Sequence, residues 1–380
     1  MRSTFVAVAA SVLIGWTSQL GATTYLVLPD GSGDFPTIQA AVDAAADGDV
    51  IELGEGTFRG EGNYHVFLSK GLAIRGASSD PERCIVDCEG GPSDGRKAFW
   101  ILRSTPPSAI LQDLTITRGY SEFSGGGVYC AASITFLSCI FVDNTCEDDH
   151  GGGVHCQEGS PTFINCRFEH NAALGYAGGG GVGVVYGQSP RFDHCSFIGN
   201  TANSGGACVM FEGGSAEFAN CVFRDNAANI GGGFASGGGA TAAFDHCTFT
   251  NNEGRSRGSG LSVDYVGTVA LSHSIVTFNI GGAGVHCGDG SASLTCCDVF
   301  GNEGGDWVGC IADYAGIDGN LSLDPLLCDW PGGDLHLQLG SPCAPEYNPA
   351  CGLIGALPVG CGQTPVERTT WGRLKAVFRE

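Results

Sequence analysis

The sequence predicts an all-β chain: a single-stranded right-handed parallel β-helix, a solenoid, with an N-terminal capping helix. Three observations lead there. The 380 residues include 63 Gly, and Gly disfavours helix interiors. A motif F-x-x-C-x-F-x-x-N recurs at Phe136, Phe163, Phe192, Phe218 and Phe244, so its Cys positions step by 27, 29, 26 and 26 residues. Each unit also carries a Gly cluster followed by an alternating apolar run, as in "GGGVYC" from Gly125 and "GGGVHC" from Gly151. A fixed period with two or three short strands per unit makes each unit pack on its neighbours alone. Hydrophobic residues make up 43% of the chain, enough to fill such a core.

Residues 1–22 read as a secretory signal. Arg2 precedes an apolar run from Phe5 to Trp16, and the small Gly21 and Ala22 follow. The run is short for a membrane span, so the expected mature chain has no transmembrane segment. Export permits disulfides, and 19 Cys is odd, so at least one thiol is left over. The formal charge of −22 argues against nucleic-acid binding and against polyanionic sugars unless a cation bridges them.

Residues 23–361 form the expected β-helix, with regular repeats over about 111–302. Ile38, Ala41, Val42 and Ala45 recur at helical spacing, so Thr37 to Ala45 is an amphipathic helix. It would cover the open first coil, whose strand edges otherwise invite aggregation. Val50 to Leu53 then starts the first coil. The segment Leu26 to Phe58 resembles the start of pectin-lyase-like and pectinesterase-like β-helix proteins. Looser repeats follow at Leu271-Ser274-Val276-Asn279 and Leu294-Cys297-Val299-Asn302. A leucine-rich repeat has the same strand pattern but needs a helix on the far side of each unit. Here that side reads "AANIGGGFASGGGATAAF", which suits a strand. From Gly125 to Asn302 the paired "GGGV" and "FxxN" motifs are also similar to the repeats of polymorphic outer-membrane proteins. Beyond Cys361 no membrane barrel is expected, a departure from that family.

Strand alternation puts Cys139, Cys166, Cys195, Cys221, Cys247 and Cys297 in one inward column beside the Phe columns. They are expected as reduced, inert core thiols. A zinc reading of His194–Cys195 or His246–Cys247 fails on the same alternation, because adjacent strand residues face opposite ways. Asn144, Asn171, Asn200, Asn226 and Asn252 are expected to end the strands as left-handed turn formers, with stacked amides. Asn165, His194, Asn220, His246 and His273 form an outward polar line, read as solvated.

The candidate site is the turn after the Asn column in the early coils. It gathers Tyr120, Glu122, Glu147, Asp148, Asp149, His150 and Tyr176. Clustered carboxylates suit Ca²⁺, with Asp148 and Asp149 as the calcium candidates, or acid/base work on a sugar. Calcium is the one cofactor considered. Tyr186, Phe211 and Tyr265 share the parity of core residues and are expected in core or corner packing. Cys84 and Cys88 are read as free or paired, and a Cys343–Cys351 disulfide is expected in the Pro/Gly-rich end. Residues 362–380 form a basic tail, with Trp371, Leu374 and Phe378 on one helical face.

The enzyme signatures of the pectin-lyase-like families are missing. The functional expectation is a monomeric, secreted or cell-surface protein of structural, adhesive or carbohydrate-binding role. It is expected to be non-catalytic, with an extracellular polysaccharide or surface component as partner. The rival reading is a polysaccharide lyase or glycoside hydrolase of the pectin-lyase-like class.

Overall fold

A computed structural model describes residues 21–175 and 178–361. The signal segment to residue 20, Tyr176 and the basic tail therefore lie outside the described residues. Among those described, no helix is long and apolar enough to cross a membrane.

The chain winds as a right-handed parallel β-solenoid. Coils between Tyr120 and Gly281 visit four parallel sheets in turn, and the earlier coils visit the first, second and fourth. The first sheet has eleven strands, from Thr24–Val27 to Ser291–Thr295. The second has ten, from Gly56–Phe58 to Asp298–Phe300. The third has seven two- to five-residue strands, from Tyr120–Ser121 to Ile280–Gly281. The fourth has nine, from Val66–Leu68 to Val285–Cys287.

Equivalent residues of successive repeats sit in register: Phe136 pairs with Phe163, and Phe163 with Phe192. Their rings stack at 4.7 and 4.8 Å. A second column stacks Phe141, Phe168 and Phe197 at 4.9 and 4.7 Å. The columns meet edge-on, as in Phe163–Phe168 at 5.5 Å and 67°, an arrangement aromatic quadrupoles favour.

Between the first and second sheets the Cys column is fully packed. Cys139, Cys166, Cys221 and Cys247 are buried and free, and Cys166 donates weakly to the Phe136 and Ile164 carbonyls. Burial pushes the Cys166 and Cys221 thiols well above their ordinary range and that of Cys84 up to about 12. Cys84 and Cys88 are free.

The Asn column departs from expectation. The left-handed residue is the one before it: Asp143, His170, Gly199, Asp225 and Asn251 have φ between 52 and 65°. Each Asn points inward and is wholly buried. Asn171 Oδ1 accepts from Asn144 N and Nδ2 at 3.1 and 2.9 Å, while Asn171 Nδ2 donates to Phe141 O at 2.8 Å and Asn200 Oδ1 at 3.0 Å. The ladder runs to Asn302, whose N and Nδ2 both donate to Asp306 Oδ1 at 2.8 Å. A buried amide at this corner answers backbone groups that the turn leaves unpaired.

Both ends are closed. The helix Ile38–Ala44 buries Ile38, Ala41 and Val42 over the first coil, and Thr37 caps it. Lys70 Nζ donates to the carbonyls of Val42, Asp43 and Ala45 at 2.7–2.9 Å, answering the helix C-terminus. At the other end a three-stranded sheet and a small apolar cluster around Leu335, Leu337 and Ile354 cover the last coils.

Three disulfides fasten that end: Cys287–Cys310, Cys296–Cys351 and Cys328–Cys361. The expected Cys343–Cys351 bond is therefore corrected. Cys351 reaches the corner residue Cys296, while Cys343 turns into the apolar cluster, where its Sγ donates to Asp298 Oδ2 at 3.3 Å.

Candidate functional site

The fourth sheet carries the site. Its three-residue strands turn the first and third residues inward and the middle one outward. In four consecutive coils that middle residue is Phe67, Trp100, Tyr129 and His155, paired rung to rung. Phe67 stacks on Trp100 at 6.2 Å, Trp100 meets Tyr129 at 5.1 Å, and Tyr129 stacks on His155 at 5.7 Å. Phe67 is 51% exposed, and Trp100 and Tyr129 are half-buried. The ladder ends at His155. The next outward position is Gly183, where an added Cβ would lie 2.5 Å from the His150 Cβ, so His150 covers it. His150 stacks on His155 at 5.9 Å. The Nδ1 atoms of both are buried without a partner, and burial lowers both imidazole pKa values.

Lys97 lies along this ladder, its Nζ 4.2 Å from the Trp100 ring centre and 5.8 Å from that of Tyr129. It donates to the Ser124 carbonyl. The residue is 4% exposed, and burial brings its ammonium down to about 8. Arg96 sits 4.9 Å over Tyr64 in the same way.

The opposite wall comes from the third sheet and the turn after it. Tyr120 donates to Glu147, and that hydrogen bond, with some burial, pushes the phenol up to about 12. Ser124 donates to Asp149 Oδ2 at 2.7 Å, and Asp149 Oδ1 lies 3.5 Å from His150 Nε2. Glu122 and Asp148 are exposed. Between the walls is a cavity of about 510 Å³, lined by His65, Lys97, Trp100, Tyr120, Glu122 and Tyr129. Two more cavities lie along the same face, of about 480 Å³ at Tyr64 and Phe67 and about 350 Å³ at His150, Phe211 and Tyr265.

Of the residues singled out in sequence, Tyr120, Glu122, Glu147, Asp149 and His150 border this groove, and Asp148 is exposed beside it. Tyr186 and Tyr265 are not in the core: they are 58% and 60% exposed. Both sit at left-handed corners with φ of 57 and 49°, which breaks the parity that assigned them inward. Among the described residues, Asp148 and Asp149 do not join a third ligating side chain into a tight set; Asp245, His246 and His273 do. The aromatic ladder itself was missed. Its signal is the variable position in "HVFL", "AFWI", "GVYC" and "GVHC", which an alignment on the Cys column passes over.

The coils and the groove define a right-handed parallel β-helix with the pectin-lyase-like fold. Residues 108–258 match the family model described as a right-handed β-helix region. Pectate lyase Pel9A superposes with a TM-score of 0.54 at 18% identity, over 89% of this chain and 96% of that one. The pectin methylesterase of Aspergillus niger gives a TM-score of 0.35 at 11% identity, over 81% and 92% of the two chains. A Dictyostelium discoideum protein, metabotropic glutamate receptor-like protein P, is 30% identical over 125 residues, 31% of this chain. The match spans 8% of that relative's length.

Proposed function

We propose that this is an exported, non-catalytic protein that binds an extended, uncharged polysaccharide along the groove of the fourth sheet. The observation that carries the reading is the solvent-facing part of the ladder, Phe67–Trp100–Tyr129, with the buried His155 closing its far end. Aromatic faces held at successive rungs offer flat apolar surface at little entropic cost, the kind of surface on which sugar rings stack. The polar atoms that fix orientation are beside it in Glu122, Asp149 and Tyr120.

Charge selects the ligand. The walls carry Glu61, Asp94, Glu122 and Asp149, and the whole chain stands at −22, so a polyuronate meets repulsion. Lys97 and Arg96 offset this in part: Arg96 is already paired with Asp94, and the Lys97 ammonium is buried under the ladder. The three disulfides support export to an oxidising compartment.

A polysaccharide lyase is the second reading, and one observation favours it: a lysine brought down to about 8 beside a cleft suits a general base. In that reading a polyuronate would need Ca²⁺ at Asp148 and Asp149 to bridge the like charges.

The test is affinity electrophoresis through gels loaded with neutral glucan, xylan or polygalacturonate, with and without Ca²⁺, followed by product analysis. The proposal expects retardation by a neutral polysaccharide without calcium and without cleavage, retained in Lys97→Met. Cleavage that Lys97→Met or Asp148→Ala/Asp149→Ala abolishes would establish the lyase instead.

A further inference from the structure

A second feature lies on the opposite side of the coil from the groove, at the corner between the first and second sheets. There one residue per coil adopts a left-handed backbone: Asn165, His194, Asn220, His246 and His273 have φ between 46 and 54°. A left-handed residue breaks strand alternation, so the last strand residue and the corner residue after it turn to the same outer side. Asp245 and His246 are such a pair. His273 is the corner residue one coil further on, since Asp245 pairs with Ser272 in register.

The three side chains converge. His246 Nδ1 lies 3.1 Å from Asp245 Oδ2, and His273 Nδ1 lies 2.9 Å from Asp245 Oδ1. The two imidazoles stack with centres 4.8 Å apart and 15° between planes. One ligand atom from each residue falls within 4.8 Å of the others. Ser272 Oγ donates to Asp245 Oδ1 at 2.7 Å, which fixes the carboxylate between the rings. All three residues are exposed or half-buried, so the corner is open to solvent.

We propose that Asp245, His246 and His273 bind one divalent transition-metal cation of the Zn²⁺ or Ni²⁺ type. Two imidazoles and a carboxylate are the donors such ions take, with water completing an open tetrahedron. Ligand atoms in a tetrahedral site with bonds of about 2.0–2.1 Å stand roughly 3.3 Å apart, so side-chain rotations that close the widest separation by up to about 1.5 Å complete the set. No local sequence motif announces the site, because its His residues are 27 positions apart and the coil period supplies the proximity. The other surface pairs hold one imidazole each: His194 with Asp193 and His336 with Asp334, both at 2.8 Å. His194 is two coils from His246, with Asn220 between them, and cannot join.

The test is titration of the full folded chain with ZnCl₂ by calorimetry, and with CoCl₂ by absorption spectroscopy. The expected result is one site of micromolar or tighter affinity. It should weaken at least tenfold in His246→Gln and in His273→Gln and vanish in the double variant, with His194→Gln and His336→Gln unchanged. The cobalt spectrum should be that of nitrogen and oxygen ligands. Unchanged circular dichroism shows that the variants fold. Absence of binding, survival of binding in the double variant, or a thiolate charge-transfer band overturns the proposal.

Discussion

The Asn column is the most demanding set of single residues in the molecule. Asn200 Oδ1 accepts from Asn171 N and Nδ2 at 3.0 Å, and its Nδ2 donates to Phe168 O at 2.8 Å and Asn226 Oδ1 at 3.0 Å. Truncation strands buried partners on both neighbouring coils. Asn200→Ala is expected to cost about 2–4 kcal/mol, read from the urea midpoint, while His194→Ala on the exposed corner changes it by less than about 0.5 kcal/mol.

Asp298 is a different case. It is wholly buried, and burial pushes its carboxyl up to about 7 despite a hydrogen bond from Leu323 N. The folded state therefore holds its proton more tightly than the unfolded chain, whose carboxyl titrates near 4. The stabilising contribution of the protonated form is complete below about pH 4 and is lost as pH rises toward 7. The loss is on the order of 3–4 kcal/mol. Asp298→Asn is expected to melt higher than the wild type at pH 8, with the gap closing toward pH 4. A constant gap across that range would show that Asp298 is not the titrating group.

At the scale of elements, the thirteen free Cys are all buried, Cys343 within the C-terminal cluster and the other twelve along the coils, while the six bonded ones fasten the C-terminal end. Native alkylation is expected to modify no thiol. Mild reduction should open only the six, lower the melting temperature and leave most of the coil stack folded, as mass spectrometry and circular dichroism would show. The inward columns were legible in sequence because a solenoid repeats one coil, so periodicity alone places Phe163, Cys166 and Phe168. The corners were not, because left-handed residues such as His170, Tyr186 and His246 interrupt the alternation on which the reading rests. The Cys296–Cys351 bond was hidden too, since it depends on how the last segment folds back over the coils. Of the candidate site, the acidic wall at Glu147 and Asp149 was legible and the aromatic wall was not. Trp100 and Tyr129 gain their meaning only when the fourth sheet sets them side by side.

For the whole molecule, the solenoid turns a short repeat into a long surface. Successive rungs lie ~4.8 Å apart, so the three solvent-facing rings of Phe67, Trp100 and Tyr129 suit a chain ligand better than a single sugar. An acidic body with a rigid aromatic groove favours an uncharged chain, and affinity should grow with ligand length until the ladder is covered. Calorimetric titration with neutral oligosaccharides of increasing length, against the wild type and Trp100→Ala/Tyr129→Ala, tests this most directly. The account predicts affinity that rises with length and then levels off, and a loss of at least about 30-fold, about 2 kcal/mol, in the double variant. Binding that ignores length, or that survives the double variant undiminished, would contradict it.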